Sequence, residues 1–172
     1  YQRRVRGINV QRKAKIQKQN GGMCVMVWGG FSFKHKTKLY MTQVDAERMT
    51  AQDYIWVIHK FAKKMISDKD LWLQQDNAPI HTAAVTRDYL ADNRIRLMRW
   101  APKSCDLNPI ENLWANIKYQ LDGEKFSTRL EFEARIKHLW DSYDQSILEN
   151  YIKSMPARVK ACLKAKGGWF GK

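Results

Sequence analysis

The sequence predicts an α/β domain with a mixed sheet, flanking helices and a helical C-terminal extension. Three observations lead to this prediction. Short apolar runs bounded by glycine or turn residues indicate buried strands, and apolar residues spaced three and four apart indicate helices. The last third of the chain carries only the helical pattern. With 172 residues, the chain has the length of one domain.

The predicted elements follow the order β-β-α-β-α-β-α-α-α. An apolar run at 23–28 lies between glycine pairs and predicts the first strand, and residues 37–44 alternate as a second strand does. Thr50 is a good N-cap for a helix at 51–66, whose Tyr54 and Ile58 begin an apolar face. The remaining predictions are strands at 71–74 and 95–98 and helices at 82–92, 108–123, 128–143 and 146–165.

The chain is strongly basic, with 31 Lys and Arg against 17 Asp and Glu and a net charge of +14. This excess favours a polyanion as partner, most simply nucleic acid. Residues 1–22 contain no acid and are predicted to form a basic arm or loop, apart from a single domain at 23–172. The alternative for such a charge run is a solvated tail. The basic residues of the arm are Arg3, Arg4, Arg6, Arg12, Lys13, Lys15 and Lys18.

Cysteine usage and hydropathy exclude several classes of protein. The three cysteines are far apart and form no Cys-x-x-Cys pair, so neither a zinc cluster nor a disulfide framework is expected. No apolar run approaches the roughly 20 residues that span a bilayer, so no membrane partner is expected. Because the sequence begins at Tyr1 without an initiator Met, we expect a piece of a longer protein.

The first candidate for chemistry is the segment from Gln75 to His81, which follows a predicted strand. In open α/β sheets, functional side chains gather at the carboxyl ends of strands. Asp76 stands at such an end, and the following Asn77 and Pro79 turn the chain. The alternative is an Asx-type turn, which Asp and Asn form without any catalytic role.

The second candidate is the segment from Asp106 to Glu111. Asn108 is predicted as an N-cap, with Pro109 at the first helical position and Glu111 at the third. A capping box would therefore explain Glu111 fully. The other interpretation is that Glu111 faces Asp76 across a crevice and shares a metal ion with it.

The two acids are separated by 34 residues, enough for a helix, a strand and a turn. Two carboxylates about 4 Å apart repel by about 4 kcal/mol at an effective dielectric near 20, and a divalent cation relieves that repulsion. Hard oxygen ligands suit Mg²⁺, with Mn²⁺ as a possible substitute. Because paired Mg²⁺ ions drive in-line phosphoryl displacement, a basic domain with these ligands fits DNA phosphodiester chemistry.

Three segments resemble the catalytic core of mariner-type transposases, most closely the Tc-like branch. They are Val25–Ser32, Gln74–Thr82 and Ser104–Trp114, in the family's order. The closing Ser154–Arg158 segment and Lys166-Gly167-Gly168 are similar to the end of that branch. The resemblance implies an RNase-H-like fold with an Asp, Asp, Glu metal-binding triad. Asp76 matches the second acid and Glu111 the third.

The resemblance also gives expectations for neighbouring residues and partners. Asn77 and His81 match positions beside the second acid, where they orient it or the substrate, or merely start a helix. Asp106 is expected to be a structural loop residue. The implied partners are transposon-end and target DNA and a second copy of the chain in a homodimer, and the implied compartment is the nucleus.

Two departures from the family pattern bear on activity. Cys105 stands where the family usually has Pro. More seriously, the first triad acid normally lies on a strand ahead of the basic loop, and residues 1–22 hold no Asp or Glu. We therefore expect the first strand to be missing and this chain to be inactive alone. We likewise expect this chain to lack the N-terminal segment by which the family recognises transposon ends.

Three functions follow from these patterns. The first is the catalytic domain of a cut-and-paste DNA transposase. The second is a non-catalytic remnant that binds DNA or pairs with a partner. A nuclease of the same fold with another purpose is the third, and the specificity of the motifs argues against it. The acid-free tail from Lys153, which includes Arg158, Lys160 and Lys164, adds either a second basic surface or a solvated helix face.

Overall fold

The structure is a computed structural model that describes residues 7–14, 25–42, 49–68, 70–101 and 104–167. Within these residues, four strands form one sheet: β1 (Gly7–Ala14), β2 (Val25–Phe31), β3 (Tyr40–Met41) and β4 (Trp72–Gln75). The spatial order is β3-β2-β1-β4. Since β1 is antiparallel to β2 and parallel to β4, the sheet is mixed, as predicted.

β1 is a correction to the sequence analysis, which expected a basic arm at 1–22 and a missing first strand. Gly7–Ala14 instead fills the place between β2 and β4, with Asn9 paired to Phe31 and Val10 to Gln75. The backbone of any extended segment supplies the required donors and acceptors, and β-branched Ile8 and Val10 alternate along it. The many basic residues of 1–22 favour the prediction of an arm or loop over that of a strand with so short an alternation.

The rest of the predicted arm lies outside the described residues. With it lie five of the seven basic residues proposed to contact nucleic acid: Arg3, Arg4, Arg6, Lys15 and Lys18. Arg12 and Lys13 fall within β1, where the backbone pairs with Val27 and Met26 of β2. The interpretation of these residues as DNA contacts stays a prediction.

Two predicted strands are shorter in the structure or are not strands at all. Within the described residues, the second strand, predicted at 37–44, covers only Tyr40–Met41. Thr37 is buried, and its hydroxyl accepts the Gly30 amide at 2.9 Å. Residues 95–98 form only one isolated parallel bridge, Leu73 to Leu97. Two backbone hydrogen bonds of 2.8 Å attach this segment to Leu73, so the prediction of a strand there is wrong.

The predicted helix at 51–66 is confirmed and runs to Asp68. It consists of α1 (Ala51–Val57), a π-helical turn (Ile58–Ala62) and α2 (Lys63–Asp68). Thr50 is its N-cap, as predicted, and forms a complete capping box with Asp53. After β4, the predicted helix at 82–92 is split into α3 (Pro79–Thr82) and α4 (Ala84–Asp92). Ala83 separates them with an extended ψ of 144°.

The remaining helices form the predicted C-terminal extension. A short 3₁₀ turn (Cys105–Leu107) precedes α5 (Pro109–Leu121). Next come α6 (Arg129–Ser142), α7 (Gln145–Lys153) and α8 (Met155–Lys164). The predicted helix at 146–165 therefore breaks at Ser154, one residue before α8. Across the part of the chain that the structure describes, no helix is long and apolar enough to cross a membrane.

Successive side chains of β2 enter two different cores. Val27 packs with α5, α6 and α7, whereas its neighbour Trp28 packs with α1, α2 and α4. Because neighbouring residues of a strand point to opposite faces, the helices cover both sides of the sheet. The arrangement is three-layered, with the sheet in the middle.

Gly29 and the loop after β2 attach the C-terminal helices to the sheet. A Cβ atom on Gly29 would lie 2.5 Å from the indole of Trp140 in α6. The Trp140 indole N–H donates to the Thr37 carbonyl at 3.0 Å. The Lys36 ammonium donates to three carbonyls at the end of α6 and beyond, those of Trp140 (2.6 Å), Asp141 (3.2 Å) and Tyr143 (2.9 Å).

Candidate functional site

Asp76 lies immediately after the last residue of β4, at the carboxyl end of that strand. Its Oδ1 atom accepts the Ala78 amide at 3.0 Å and lies 2.7 Å from Nδ1 of His81. The predicted Asx turn is therefore present. The Asp76 side chain is nevertheless 55% exposed, so the turn presents the carboxylate to solvent while holding one of its oxygens in place.

His81 is buried and fixes Asp76 from the start of the next helix. Its Nδ1 atom faces two acceptors, the carboxylate Oδ1 and the backbone carbonyl of Asp76 at 3.1 Å. Nδ1 must therefore carry the proton and donate it. The Nε2 atom is buried and has no hydrogen-bond partner among the described residues. The orienting role of His81, and the alternative that it merely starts a helix, both stay predictions.

Tyr54 and Gln75 support this pair from behind. The sequence predicts Tyr54 only on an apolar helix face and Gln75 only as the start of the candidate segment, with no contact between them. The Tyr54 ring packs against His81 at a tilt of 41° with a centroid distance of 4.3 Å, and its hydroxyl donates to Gln75 Oε1. Burial, and to a lesser degree the charge of Asp76, raise the pKa of Tyr54 well above its usual value. The hydroxyl thus stays protonated as a donor. The sequence feature that points to this contact is Gln75, a polar residue at the end of the apolar β4 strand.

Asn77 has a different role from His81. Its side-chain amide donates to the Trp100 carbonyl at 3.2 Å. Trp100 belongs to the segment that follows the Leu73–Leu97 bridge. Asn77 therefore ties the turn after β4 to the chain leading toward α5, and it shapes the surroundings of Asp76 through the backbone.

The start of α5 departs from the predicted capping box. Asn108 is the N-cap residue and Pro109 occupies the first turn, but the Asn108 side chain makes no capping hydrogen bond. Asn108 is buried, and its Oδ1 atom has no partner within the described residues. Glu111 lies in the first turn, partly exposed. The half of the predicted capping box that the Asn108 side chain should supply is therefore absent.

The topology brings the two predicted acids to elements that flank the same strand. Asp76 follows β4, which pairs with β1, and Glu111 opens α5, which packs on β1. Asp106, in the 3₁₀ turn before α5, accepts the amide of Leu107 at 3.1 Å, as a structural loop residue does.

The donor chemistry of Asp76 and Glu111 fits a hard divalent cation, since both supply carboxylate oxygens. In number they fall short of a triad. Within the described ranges, no group of three or more His, Cys, Asp or Glu residues could hold a metal ion. β1, which occupies the centre of the sheet, contributes no carboxylate because its sequence is Gly-Ile-Asn-Val-Gln-Arg-Lys-Ala.

Comparison with known proteins supports this assignment of the motifs. Residues 3–133 match the family described as DDE superfamily endonuclease. The transposase of the element Tc3 from Caenorhabditis elegans is 35% identical over 153 residues, which cover 86% of this chain and 45% of the relative. The Tcb1 transposase of Caenorhabditis briggsae is 30% identical over 149 residues, covering 87% of this chain and 55% of the relative. The chain thus spans about half the length of these curated relatives.

Solved structures show the fold. The catalytic domain of Mos1 mariner transposase superposes with a TM-score of 0.81 at 20% identity, covering 96% of this chain and 84% of that one. A Mos1 paired-end complex with the left transposon end gives a TM-score of 0.80 at 18% identity, with 98% and 56% covered. The predicted RNase-H-like fold is therefore confirmed.

Proposed function

We propose that this chain, which belongs to the DDE superfamily endonuclease family, is the catalytic domain of a cut-and-paste DNA transposase. The observation that carries the proposal is the family match over residues 3–133, which spans both Asp76 and Glu111. The proposed reaction is hydrolysis of a phosphodiester at the transposon end. The freed 3′-hydroxyl then attacks a phosphodiester of target DNA, so that one P–O bond forms while another breaks and the target strand leaves with a 3′-hydroxyl.

In this proposal, Asp76 and Glu111 hold a divalent cation, Mg²⁺ or Mn²⁺. Such an ion supplies Lewis-acid stabilisation to the oxygens of a phosphodiester undergoing displacement. His81 keeps the Asp76 carboxylate in one orientation through Nδ1, and buried Tyr54 keeps His81 in place. Metal use is supported by Mos1 catalytic-domain structures solved with Mn and with Mg.

The proposed partner is DNA, in the nucleus, and the proposed assembly is a homodimer. The net charge of +14 suits a polyanion. Structures of Mos1 paired-end and strand-transfer complexes support DNA as the partner. The basic residues of the predicted arm are proposed to contact phosphate without reading sequence: Arg3, Arg4, Arg6, Arg12, Lys13, Lys15 and Lys18.

We further propose that this chain is inactive alone. Residues 1–22, including β1, contain no Asp or Glu, so the carboxylate that should complete the triad is missing from the central strand. Two acids hold a cation less tightly than three, and cleavage should stop. A remnant that binds DNA without cleaving it is the second candidate function, and the acid-free β1 is the observation that favours it.

A nicking assay tests the inactivity. We expect supercoiled DNA carrying transposon ends to be nicked by the chain, with Mg²⁺ or Mn²⁺, no faster than by Asp76→Ala. Robust nicking that disappears in Asp76→Ala would contradict the proposed inactivity and would establish the chemistry directly.

Mn²⁺ binding, followed by electron paramagnetic resonance, tests the site itself. We expect weak binding by the chain and its loss in Asp76→Ala and in Glu111→Ala. Asp92→Ala, which removes an exposed carboxylate at the end of α4, should bind as the unsubstituted chain does. Binding that persists in both site variants would place the cation elsewhere.

A further inference from the structure

We infer that Arg158 is a positioning residue that holds the Glu111-bearing start of α5 in place for the proposed cation. This inference rests on the proposed function and deepens it. In the sequence, Arg158 shares an acid-free tail with Lys160 and Lys164, which is interpreted either as a second basic surface or as a solvated helix face. The structure separates Arg158 from those lysines, since both lysines are exposed and Arg158 is partly buried.

The contacts of Arg158 lie on both sides of Glu111. Its Nη1 atom donates to the backbone carbonyl of Asp106 and to Oδ1 of Asn112, each at 3.3 Å. Asp106 belongs to the 3₁₀ turn before α5, and Asn112 follows Glu111 directly. One guanidinium from α8 therefore joins the turn to the first turn of the helix and restrains the residue between them.

Electrostatics indicate that this contact is specific. Burial lowers the pKa of Arg158, and the negative charge of Asp106 works in the opposite direction. A partly desolvated guanidinium is costly unless its donors are used, and here they meet two oxygens near a carboxylate. A solvated basic face would gain nothing from withdrawing one of its charges from water.

The start of α5 has need of such a restraint. A well-capped helix fixes its own first turn, but the Asn108 side chain makes no capping hydrogen bond. The turn before it is only three residues long. Without this cap, the two hydrogen bonds of Arg158 add a tertiary restraint to the first turn of α5.

The closing Ser-Met-Pro-Ala-Arg motif accounts for how Arg158 reaches this position. Ser154 ends α7, and its hydroxyl donates to the Tyr151 carbonyl at 2.6 Å. Pro156 lies in the first turn of α8, where proline is favoured, so the new helix starts at a fixed residue. Arg158 then projects from the first turn of α8 toward the 3₁₀ turn, which α8 contacts.

The test compares Arg158→Ala, Arg158→Lys and Lys160→Ala in the full chain. For Arg158→Ala we expect faster amide hydrogen exchange at residues 107–112, with exchange in β2 and α6 unchanged. We also expect Mn²⁺ affinity to fall by roughly ten-fold, since residues that orient a ligand typically contribute ten- to a hundred-fold. Arg158→Lys, which keeps a donor, should restore part of both effects. Lys160→Ala should match the unsubstituted chain.

The outcomes separate this inference from the proposed function. Mn²⁺ binding that is lost in Glu111→Ala but unchanged in Arg158→Ala overturns the inference alone. Absence of Mn²⁺ binding by the unsubstituted chain overturns both. Loss of protection from hydrogen exchange throughout the chain in Arg158→Ala would indicate that this variant does not fold. In that case Asn112→Ala is the test, because it removes only one of the two acceptors of Arg158. Unchanged exchange at 107–111 and unchanged Mn²⁺ affinity in Asn112→Ala would overturn the inference.

Discussion

The backbone of Gly29 lies directly against the indole ring of Trp140. This contact explains why the Val-Met-Val-Trp-Gly-Gly motif has glycine at position 29, since a side chain there would overlap the ring. A methyl group at this position would come within 2.5 Å and 2.7 Å of two indole carbons. The ring has little room to move, because its N–H is held by the Thr37 carbonyl and its face stacks on Trp114. The motif is therefore needed for the attachment of α6 to the sheet.

We predict that Gly29→Ala lowers the free energy of unfolding by about 1–3 kcal/mol, the usual cost of overpacking a filled core. Urea unfolding measures the change. Gly123→Asn is the matched control, because Gly123 has a φ of +81°, which Asn tolerates, and no heavy atom within 4 Å of an added Cβ. Equal stability of Gly29→Ala and the unsubstituted chain would contradict the packing described here.

At the scale of elements, the end of α6 depends on a side chain from the loop after β2. The last carbonyls of a helix have no hydrogen-bond donor within the helix. The Lys36 ammonium supplies the donor for the carbonyls of Trp140 and Asp141, and also for that of Tyr143, which follows the helix. Gln145, at the start of α7, donates to the Ser32 carbonyl at 3.0 Å. The junction of α6 and α7 is thus fastened to the sheet by side chains from both partners.

We predict that Lys36→Met lowers the free energy of unfolding by about 2 kcal/mol, since hydrogen bonds to a charged group contribute about 1.5–3 kcal/mol. Methionine keeps the length of the apolar stem and removes the donor. Lys38→Met removes an exposed charge from the same loop and should change stability little. Both are measured by urea unfolding at neutral pH. A Lys38 effect as large as that of Lys36 would show that only net charge matters.

The elements that could be predicted are those that local chemistry determines. Thr50 and Asp53, which cap α1, are three residues apart in the sequence, and Asp76 and His81 are five residues apart. β1 could not be predicted, because Ile8 and Val10 become a strand only through pairing with distant residues. The contact of Tyr54 could not be predicted for the same reason, since its partner Gln75 is 21 residues away.

Charge is the property of the whole molecule that bears on function. With a net charge of +14, the chain should bind DNA through phosphate neutralisation, whatever its catalytic competence. Asp76 is one exposed carboxylate among many basic groups. Its removal should therefore alter cation binding and leave the general affinity for DNA intact.

We predict that affinity for duplex DNA falls steeply and linearly on a log–log plot against salt concentration. Asp76→Ala and Glu111→Ala should follow parallel lines within about two-fold of the unsubstituted chain. Fluorescence anisotropy across a salt series measures this. Binding insensitive to salt would argue against a phosphate-driven interface. Together with absent nicking, parallel lines would favour the non-catalytic remnant over a working enzyme.

The position of β1 carries a consequence for how the chain acquires its shape. β1 precedes both of its partner strands in the chain, so residue 10 must wait for residue 75 before the sheet can close. Until then, β2 and β4 each present an unsatisfied edge, the kind of surface on which chains aggregate. Deleting Gly7–Ala14 should therefore lower the solubility of the chain, because β2 and β4 would lose the strand that lies between them.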